Sequence, residues 1–228
     1  MPGIERPKSL TETVLAHLRE QIIQGDLELG SALPERQLAE KLMVSKTPVR
    51  EALAQLRSEG LVRILPQRGA YVFTLSSREV VEICEFRFAI ESSALAFAIE
   101  RNRVPLTEDL GRIVEQMALA QASGDMRAYL RLDTAFHATF FTHCRNQYLR
   151  DSYERYVGKI AALRTHLATK PLHTKLSFQE HKRILSVVRS GTVTAALEIL
   201  KAHIGRTRET YSEEVEDIAA ADSLSEAV

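Results

Sequence analysis

The sequence predicts a mainly α chain: a small N-terminal unit of three helices closed by a β-hairpin, then an all-α antiparallel helical bundle. Three observations carry this. Apolar residues recur at helical spacing up to Gly60, the period turns extended between Leu61 and Thr74, and from Ser76 onward every apolar stripe is helical with no strand pattern. With 228 residues, 45 % hydrophobic and 26 % charged, the chain suffices for two domains of ordinary globular composition.

Residues 8–24 form an amphipathic helix with Leu10, Val14, Leu18 and Ile22 on one stripe, ended by Gly25-Asp26 before a bend at Leu29-Gly30. Leu33–Gly60 then holds two short helical patterns around a tight junction. Leu38, Ala39 and Leu42 mark the apolar face of the first, and Val49, Leu53 and Leu56 that of the second. Ser45 suits the N-cap of the second, and Pro48 falls in its first turn, where a missing N–H costs little. Its exposed face carries Lys46, Arg50 and Arg57, so helix, turn and basic-faced helix follow the pattern of DNA readers. Leu61–Leu65 and Ala70–Thr74 are strand candidates across a Pro66-Gln67-Arg68-Gly69 turn. That hairpin makes the unit a winged helix-turn-helix with Arg68 at the wing tip. Ser76-Ser77-Arg78-Glu79 offers a capping box, and helices are expected at about 77–102, 106–122, 125–143, 146–169, 175–190 and 192–213. Pro105, Ser123-Gly124, Asn146, Pro171 and Gly191 divide them. The expected domains are a winged helix-turn-helix over 8–75, a helical domain over 76–213 and an acidic, disordered tail over 214–228.

The formal net charge is zero, but it is unevenly spread. Between positions 36 and 68, Arg36, Lys41, Lys46, Arg50, Arg57, Arg63 and Arg68 outnumber Glu40, Glu51 and Glu59, which suits a face toward phosphates. Residues 209–228 contain no Lys or Arg. Cys84 and Cys144 lie in helical apolar patterns and do not suggest a disulfide framework. No run approaches the roughly 18 apolar residues of a membrane span, and no signal-peptide core opens the chain, so a cytoplasmic protein is expected.

The stretch IIQGDLELGSALPERQLAEKLMVSKTPVREALAQLRSEGLVRILPQRGAYV resembles the N-terminal pattern of the GntR superfamily of bacterial transcription regulators, above all in its VS-x-TPVREAL core and EGLV entry to the wing. The helical remainder is similar to the effector domain of its FadR subfamily, through RxxxE at Arg87 and Glu91, DxxFH at 133–137, Asn146, EH at 180–181 and His203. The resemblance implies that Arg36, Ser45, Lys46, Thr47 and Arg50 lie at the DNA major groove, with Arg68 and Gly69 approaching the minor groove. Arg forks onto guanine O6 and N7, while Ser and Thr hydroxyls suit phosphates or either base type. Two positions depart from the usual pattern. Lys46 stands where Arg is common and lacks the planar fork. Met43 stands where Gly is common and is strained if the turn needs a positive φ.

Helical phase singles out three of the seven histidines. Asp133 and His137 are i, i+4 neighbours between Leu130 and Phe140 on one apolar stripe; His181 shares a stripe with Phe178, Leu185 and Val188, and His203 with Leu200 and Thr207. A carboxylate and three imidazoles pointing inward are expensive unless they hydrogen-bond or bind a cation. Together with the resemblance, they suggest a divalent transition metal at Asp133, His137, His181 and His203: zinc, with nickel or manganese as alternatives. His17, His143, His166 and His173 read as surface or packing residues.

A dication with one Asp and three neutral His keeps a charge of about +1 and attracts an anion. Arg87, among Ile83, Cys84 and Ile90, offers a fork for a carboxylate unless Glu91 takes it, and Arg164 is a second candidate. Small organic acids are the implied effectors, with sugar acids or hydroxy acids fitting best. The function expected is a ligand-responsive regulator, a repressor by family precedent, binding a palindromic double-stranded operator as a homodimer. A metal-dependent hydrolase and a pure metal sensor are the alternatives. No HExxH motif supports the hydrolase, and the intact Asp and His set disfavours a metal-free acyl-CoA pocket.

Overall fold

Ser9 starts the first helix, α1 (Leu10–Ile23), by a capping box in which its hydroxyl accepts from the Glu12 N–H and the Glu12 carboxylate accepts from its own backbone N–H. In the computed structural model, which describes residues 9–168 and 170–225, the chain divides into two compact units, Met1–Thr74 and Leu75–Val228. In the first unit α1 packs on α3 (Lys46–Ser58) through buried Val14, Leu15, Leu18 and Ile22 against Val49, Leu53 and Leu56. The expected stripe is shifted at its start: Leu10 is 54 % exposed and Leu15 is buried instead, because the first turn overhangs the end of the packed face. A two-bond fork from Arg19 to Glu59, at 2.8 and 2.6 Å, ties α1 to the end of α3.

Between them, α2 (Glu35–Leu42) ends at Met43, whose backbone is left-handed (φ 54°, ψ 41°). The positive φ suspected at this junction is therefore real, and a Cβ-bearing residue occupies it at a cost of about 1 kcal/mol. Met43 is 92 % exposed, so packing does not offset that strain. Met43→Gly is expected to raise the stability of this unit by about 1 kcal/mol, less glycine's extra unfolded-state entropy, measured as a higher midpoint in thermal unfolding. Ser45 occupies the N-cap position of α3, but its side chain makes no capping bond. The expected side-chain cap is thus corrected. The hydroxyl stays at the surface.

β1 (Val62–Leu65) and β2 (Gly69–Val72) pair antiparallel from Val62↔Val72 to Leu65↔Gly69, with Ala32 bridging to Tyr71. Gly69 has φ 93° where the hairpin closes, a conformation glycine adopts without strain. The hairpin is shorter than the sequence pattern suggests, but sits where expected.

In the second unit the capping box at Ser76 and Glu79 opens α4 (Ser77–Ser123). The two expected helices are present but follow each other without a loop, meeting at a kink at Asn102 (φ −147°, ψ 40°), where the first was expected to end; Pro105 sits just inside the next turn. The kink is held by polar bonds to neighbouring helix ends. Asn102 Nδ2 donates to the His143 carbonyl at 2.8 Å and Arg101 to that of Cys144 at 2.7 Å. Arg103 donates to the carbonyls of Val188 and Gly191 at 2.9 and 3.1 Å. Four further helices follow: α5 (Met126–His143), α6 (Gln147–Leu167, capped by Asn146), α7 (Pro171–Ser190) and α8 (Val193–Ser225). Pro171 begins α7 rather than separating it from α6 at a distance, as its preset φ favours. The backbone of α8 continues to Ser225, into the acidic stretch expected as a tail; residues 226–228 lie outside the described ones. Ala94, Leu95, Leu106, Phe136, Phe140, Ile160, Leu163, Ile184 and Leu200 are fully buried where these helices meet. Both cysteines are free and buried. Among the described residues no helix is long and apolar enough to cross a membrane.

Candidate functional site

The helix-turn-helix surface follows from the first turns of α3. Ser45, Lys46, Thr47 and Arg50 are exposed in succession, while Pro48 and Val49 turn inward and anchor the helix. Arg36 is exposed on α2 beside Glu40 at 2.9 Å, and Arg50 bonds Glu35 through Nε and Nη2 at 3.1 and 2.9 Å. Exposed ion pairs of this kind contribute about 0–1 kcal/mol, so the guanidinium groups can exchange carboxylate for phosphate or base. Arg68 and Gly69 lie on the exposed wing turn.

Three helices of the second unit bring three imidazoles together. His137 of α5, His181 of α7 and His203 of α8 each offer a ring nitrogen, and these atoms lie within 4.8 Å of one another. All three rings are buried; His137 and His181 approach Nε2 to Nε2 at 3.3 Å. Their other nitrogens tell more. Nδ1 of His137 faces a Glu91 oxygen at 2.7 Å, and Nδ1 of His203 faces a Glu180 oxygen at 2.8 Å. A carboxylate only accepts, so both Nδ1 atoms carry the proton and both Nε2 atoms hold lone pairs, that of His137 facing His181 Nε2. A carboxylate behind each imidazole is the arrangement that orients metal-ligating histidines. His181 Nδ1 is buried without a hydrogen-bond partner.

Electrostatics keep these rings neutral. Burial, then the nearby Arg164 charge, lowers His137 to about 3, with Glu91 opposing only in part. Burial likewise pushes His181 well below the usual imidazole range and lowers His203. The acids behave oppositely. Burial works against ionisation of Asp133, but the Arg164 guanidinium outweighs it and holds the carboxylate ionised. For Glu91, Arg87 and His137 overcome burial in the same way. Neutral imidazoles with free lone pairs fit a borderline divalent metal.

Asp133 stands beside the three imidazoles rather than among them. One oxygen is 3.5 Å from His181 Nε2, while the other is 3.1 Å from Arg164 Nε. Asp133, Arg164, His203, Tyr129, His173 and Thr174 are among the residues around a cavity of about 20 Å³, roughly the room one water needs. The two arginines differ in placement. Arg164 lines this cavity, whereas Arg87 is fully buried behind it with Nε on Glu91 at 2.9 Å. Neither Nη atom of either guanidinium has a hydrogen-bond partner.

Several residues here escape a sequence reading. His173, expected to be packing, lines the cavity; its spacing to Ser177 and His181, i, i+4, i+8, is the signal for a shared face. His143 is not isolated either, since Nε2 meets Asp109 at 2.7 Å. Glu180, the acid of the EH pair at 180–181, backs His203 from another helix, a pairing that no local spacing reveals. His17 is exposed, and His166 packs its ring near Tyr211 at 5.7 Å.

Comparison with known proteins agrees with both units. Residues 10–72 match the family model described as bacterial regulatory proteins, gntR family, and residues 82–206 match the FCD domain. The chain is 32 % identical over 137 residues to the gluconate operon transcriptional repressor of Bacillus subtilis, covering 60 % of this chain and 56 % of that protein. It is 33 % identical over 143 residues to the regulator McbR of Escherichia coli, covering 62 % and 65 %. The chain thus spans less than two thirds of the length of these relatives. Among solved structures, E. coli McbR/YncC superposes with a TM-score of 0.77 over 91 % of this chain and 100 % of that one at 24 % identity, a likeness of fold.

Proposed function

Because the chain belongs to the GntR family of bacterial regulatory proteins and carries an FCD domain, we propose that it is a DNA-binding transcription regulator whose operator affinity is set by a small organic acid at a metal centre. Several relatives are named as repressors, and repression relieved by ligand is the direction we assign. These families and relatives are regulators rather than enzymes, which removes the hydrolase reading. One winged helix reads a half-site, so the active form is a homodimer on a palindrome. The major-groove contacts are assigned to Arg36, Ser45, Lys46, Thr47 and Arg50, and the wing contacts to Arg68 and Gly69.

The observation that carries the effector half is the convergence of three neutral imidazoles, two of them backed by carboxylates. His137, His181 and His203 would hold the ion, zinc by donor type, with Asp133 close enough to complete the set. A bound dication supplies positive charge for an anion. Around it, Arg87, Arg164 and Arg206 already balance Glu91, Asp133 and Glu180, so its charge is left for the ligand to neutralise. Arg164, a residue lining the cavity whose two Nη atoms make no hydrogen bond, is assigned as the carboxylate fork. A cavity of about 20 Å³ takes no organic acid without movement of its walls. That gives the acid different affinities for two states of the domain, the condition for a ligand to shift an equilibrium.

The test is binding of DNA from the chain's own promoter region, followed by fluorescence anisotropy at several salt concentrations. Salt-sensitive binding is expected, with Arg50→Ala weakening it by roughly fivefold to a hundredfold. No salt-sensitive binding at any metal or acid level overturns the proposal.

A further inference from the structure

The chain passes from the first unit to the second over residues 73–76, and every one of them is tied down. On the near side the Phe73 N–H donates to the Leu61 carbonyl at 3.0 Å, and Arg63 of β1 donates from Nη1 to the Thr74 hydroxyl at 3.0 Å. Thr74 is the last residue of the first unit and Leu75 the first of the second. On the far side the Tyr211 hydroxyl of α8 donates to the Leu75 carbonyl at 3.2 Å, and Ser76 forms the capping box that starts α4. Phe73, Leu75 and Tyr211 are buried. A flexible linker is polar or glycine-rich with a solvated backbone. This junction is the opposite: it is bonded to the first unit up to Thr74 and to the helical domain from Leu75 onward.

The far anchor shares its helix with the imidazole centre. His203, Thr207 and Tyr211 follow one another at i, i+4 and i+8 on α8, all three buried. Thr207 lines the cavity beside the imidazoles, and its hydroxyl donates to the His203 carbonyl at 3.3 Å. Eight residues of helical rise put Tyr211 about 12 Å along α8 from His203. Over that length an unbroken helix is stiff, so a change of its setting at His203 is felt at Tyr211. Ligation of one ion by His203 together with His137 of α5 and His181 of α7 would add bonds that fix α8 against those two helices.

Resting on the reading that the imidazoles hold a metal and that the first unit binds DNA, we infer that residues 73–76 are a strap through which the setting of α8 reaches the first unit. Tyr211 and the Arg63–Thr74 bond are its two anchors. Tyr211 is a positioning residue, outside both the metal set and the DNA-contact set. The strap transmits only the difference between two settings of α8, so its signature is a coupling between sites rather than an affinity at either one.

The experiment is titration of promoter DNA at fixed salt, followed by anisotropy, with the full chain loaded with zinc and with the same protein freed of metal by chelation. In the parent, zinc is expected to change the DNA dissociation constant about fivefold or more; in Tyr211→Phe, which removes only the hydroxyl, the change falls below about twofold. Zinc affinity, measured by calorimetry, stays at the parent value. Thr74→Val removes the other anchor and is expected to lower the ratio in the same way. A tyrosine that only stabilises the fold would lower the unfolding midpoint and leave the ratio where it was. An unchanged ratio in either folded variant therefore overturns the strap, as does a parent that binds both zinc and DNA but shows no effect of one on the other. A parent that binds no zinc, or no promoter DNA, overturns the reading beneath the strap, and the strap with it.

Discussion

His137→Ala is expected to purify with little or no zinc, whereas the parent chain is expected to retain about one ion per chain. Loss of a carboxylate behind a metal-ligating histidine typically lowers affinity 10–100-fold, so removing the imidazole itself is expected to exceed 100-fold. His137 Nε2 lies 3.3 Å from His181 Nε2, and the ring is backed by Glu91 at 2.7 Å. Its ring is fully buried, so its loss leaves Glu91 without one of its partners as well. Metal content by mass spectrometry on protein purified without chelator is the check. Equal metal in parent and variant contradicts the assignment.

Glu91→Leu is expected to destabilise the helical domain more than any surface change. Glu91 and Arg87 are both fully buried and joined at 2.9 Å, with Arg164 Nη2 at 3.9 Å from the same carboxylate oxygen. Removing one member of a buried pair costs about 3–5 kcal/mol, because the other charge stays desolvated and unpaired. Arg87 is badly placed to recover, since its two Nη atoms already lack hydrogen bonds. A second change, Arg87→Met, is expected to restore much of the loss, and chemical denaturation of the four proteins in the cycle measures the coupling. A Glu91→Leu loss below about 1 kcal/mol removes the claim that this pair holds the site's inner wall.

What the sequence revealed and what it hid divides along the range of the interactions. The helix-turn-helix was legible because its signals are local: the Leu38 and Val49 stripes, the exposed Lys46 and Arg50, and the strained junction at Met43, whose φ of 54° confirms the need for glycine there. The pairing of Asp133 with His137 was equally local, one helical turn apart. Convergence of His181 and His203 on them was legible only as inward phase. The bonds that give the site its chemistry run between helices. Glu180 precedes His181 in the chain yet bonds His203 on α8, and Arg164 on α6 rather than Arg87 on α4 reaches the cavity. No periodicity distinguishes two buried arginines by the direction in which each points. The kink at Asn102 falls where the first of the two helices was expected to end, although Pro105 is the louder signal for the break. Proline is tolerated in the first turn of a helix, and the backbone breaks where Asn102 can bond the end of α5.

The central claim is that the imidazole centre in the second unit governs DNA binding by the first. Titrating promoter DNA with zinc-loaded protein, in the absence and presence of saturating glycolate at fixed salt, tests it most directly. The account predicts that the acid changes the DNA dissociation constant at least fivefold, a coupling of about 1 kcal/mol, and that DNA changes acid affinity by the same factor. It also predicts no change in His137→Ala. An identical DNA affinity with the acid demonstrably bound, or the same shift in His137→Ala, contradicts it.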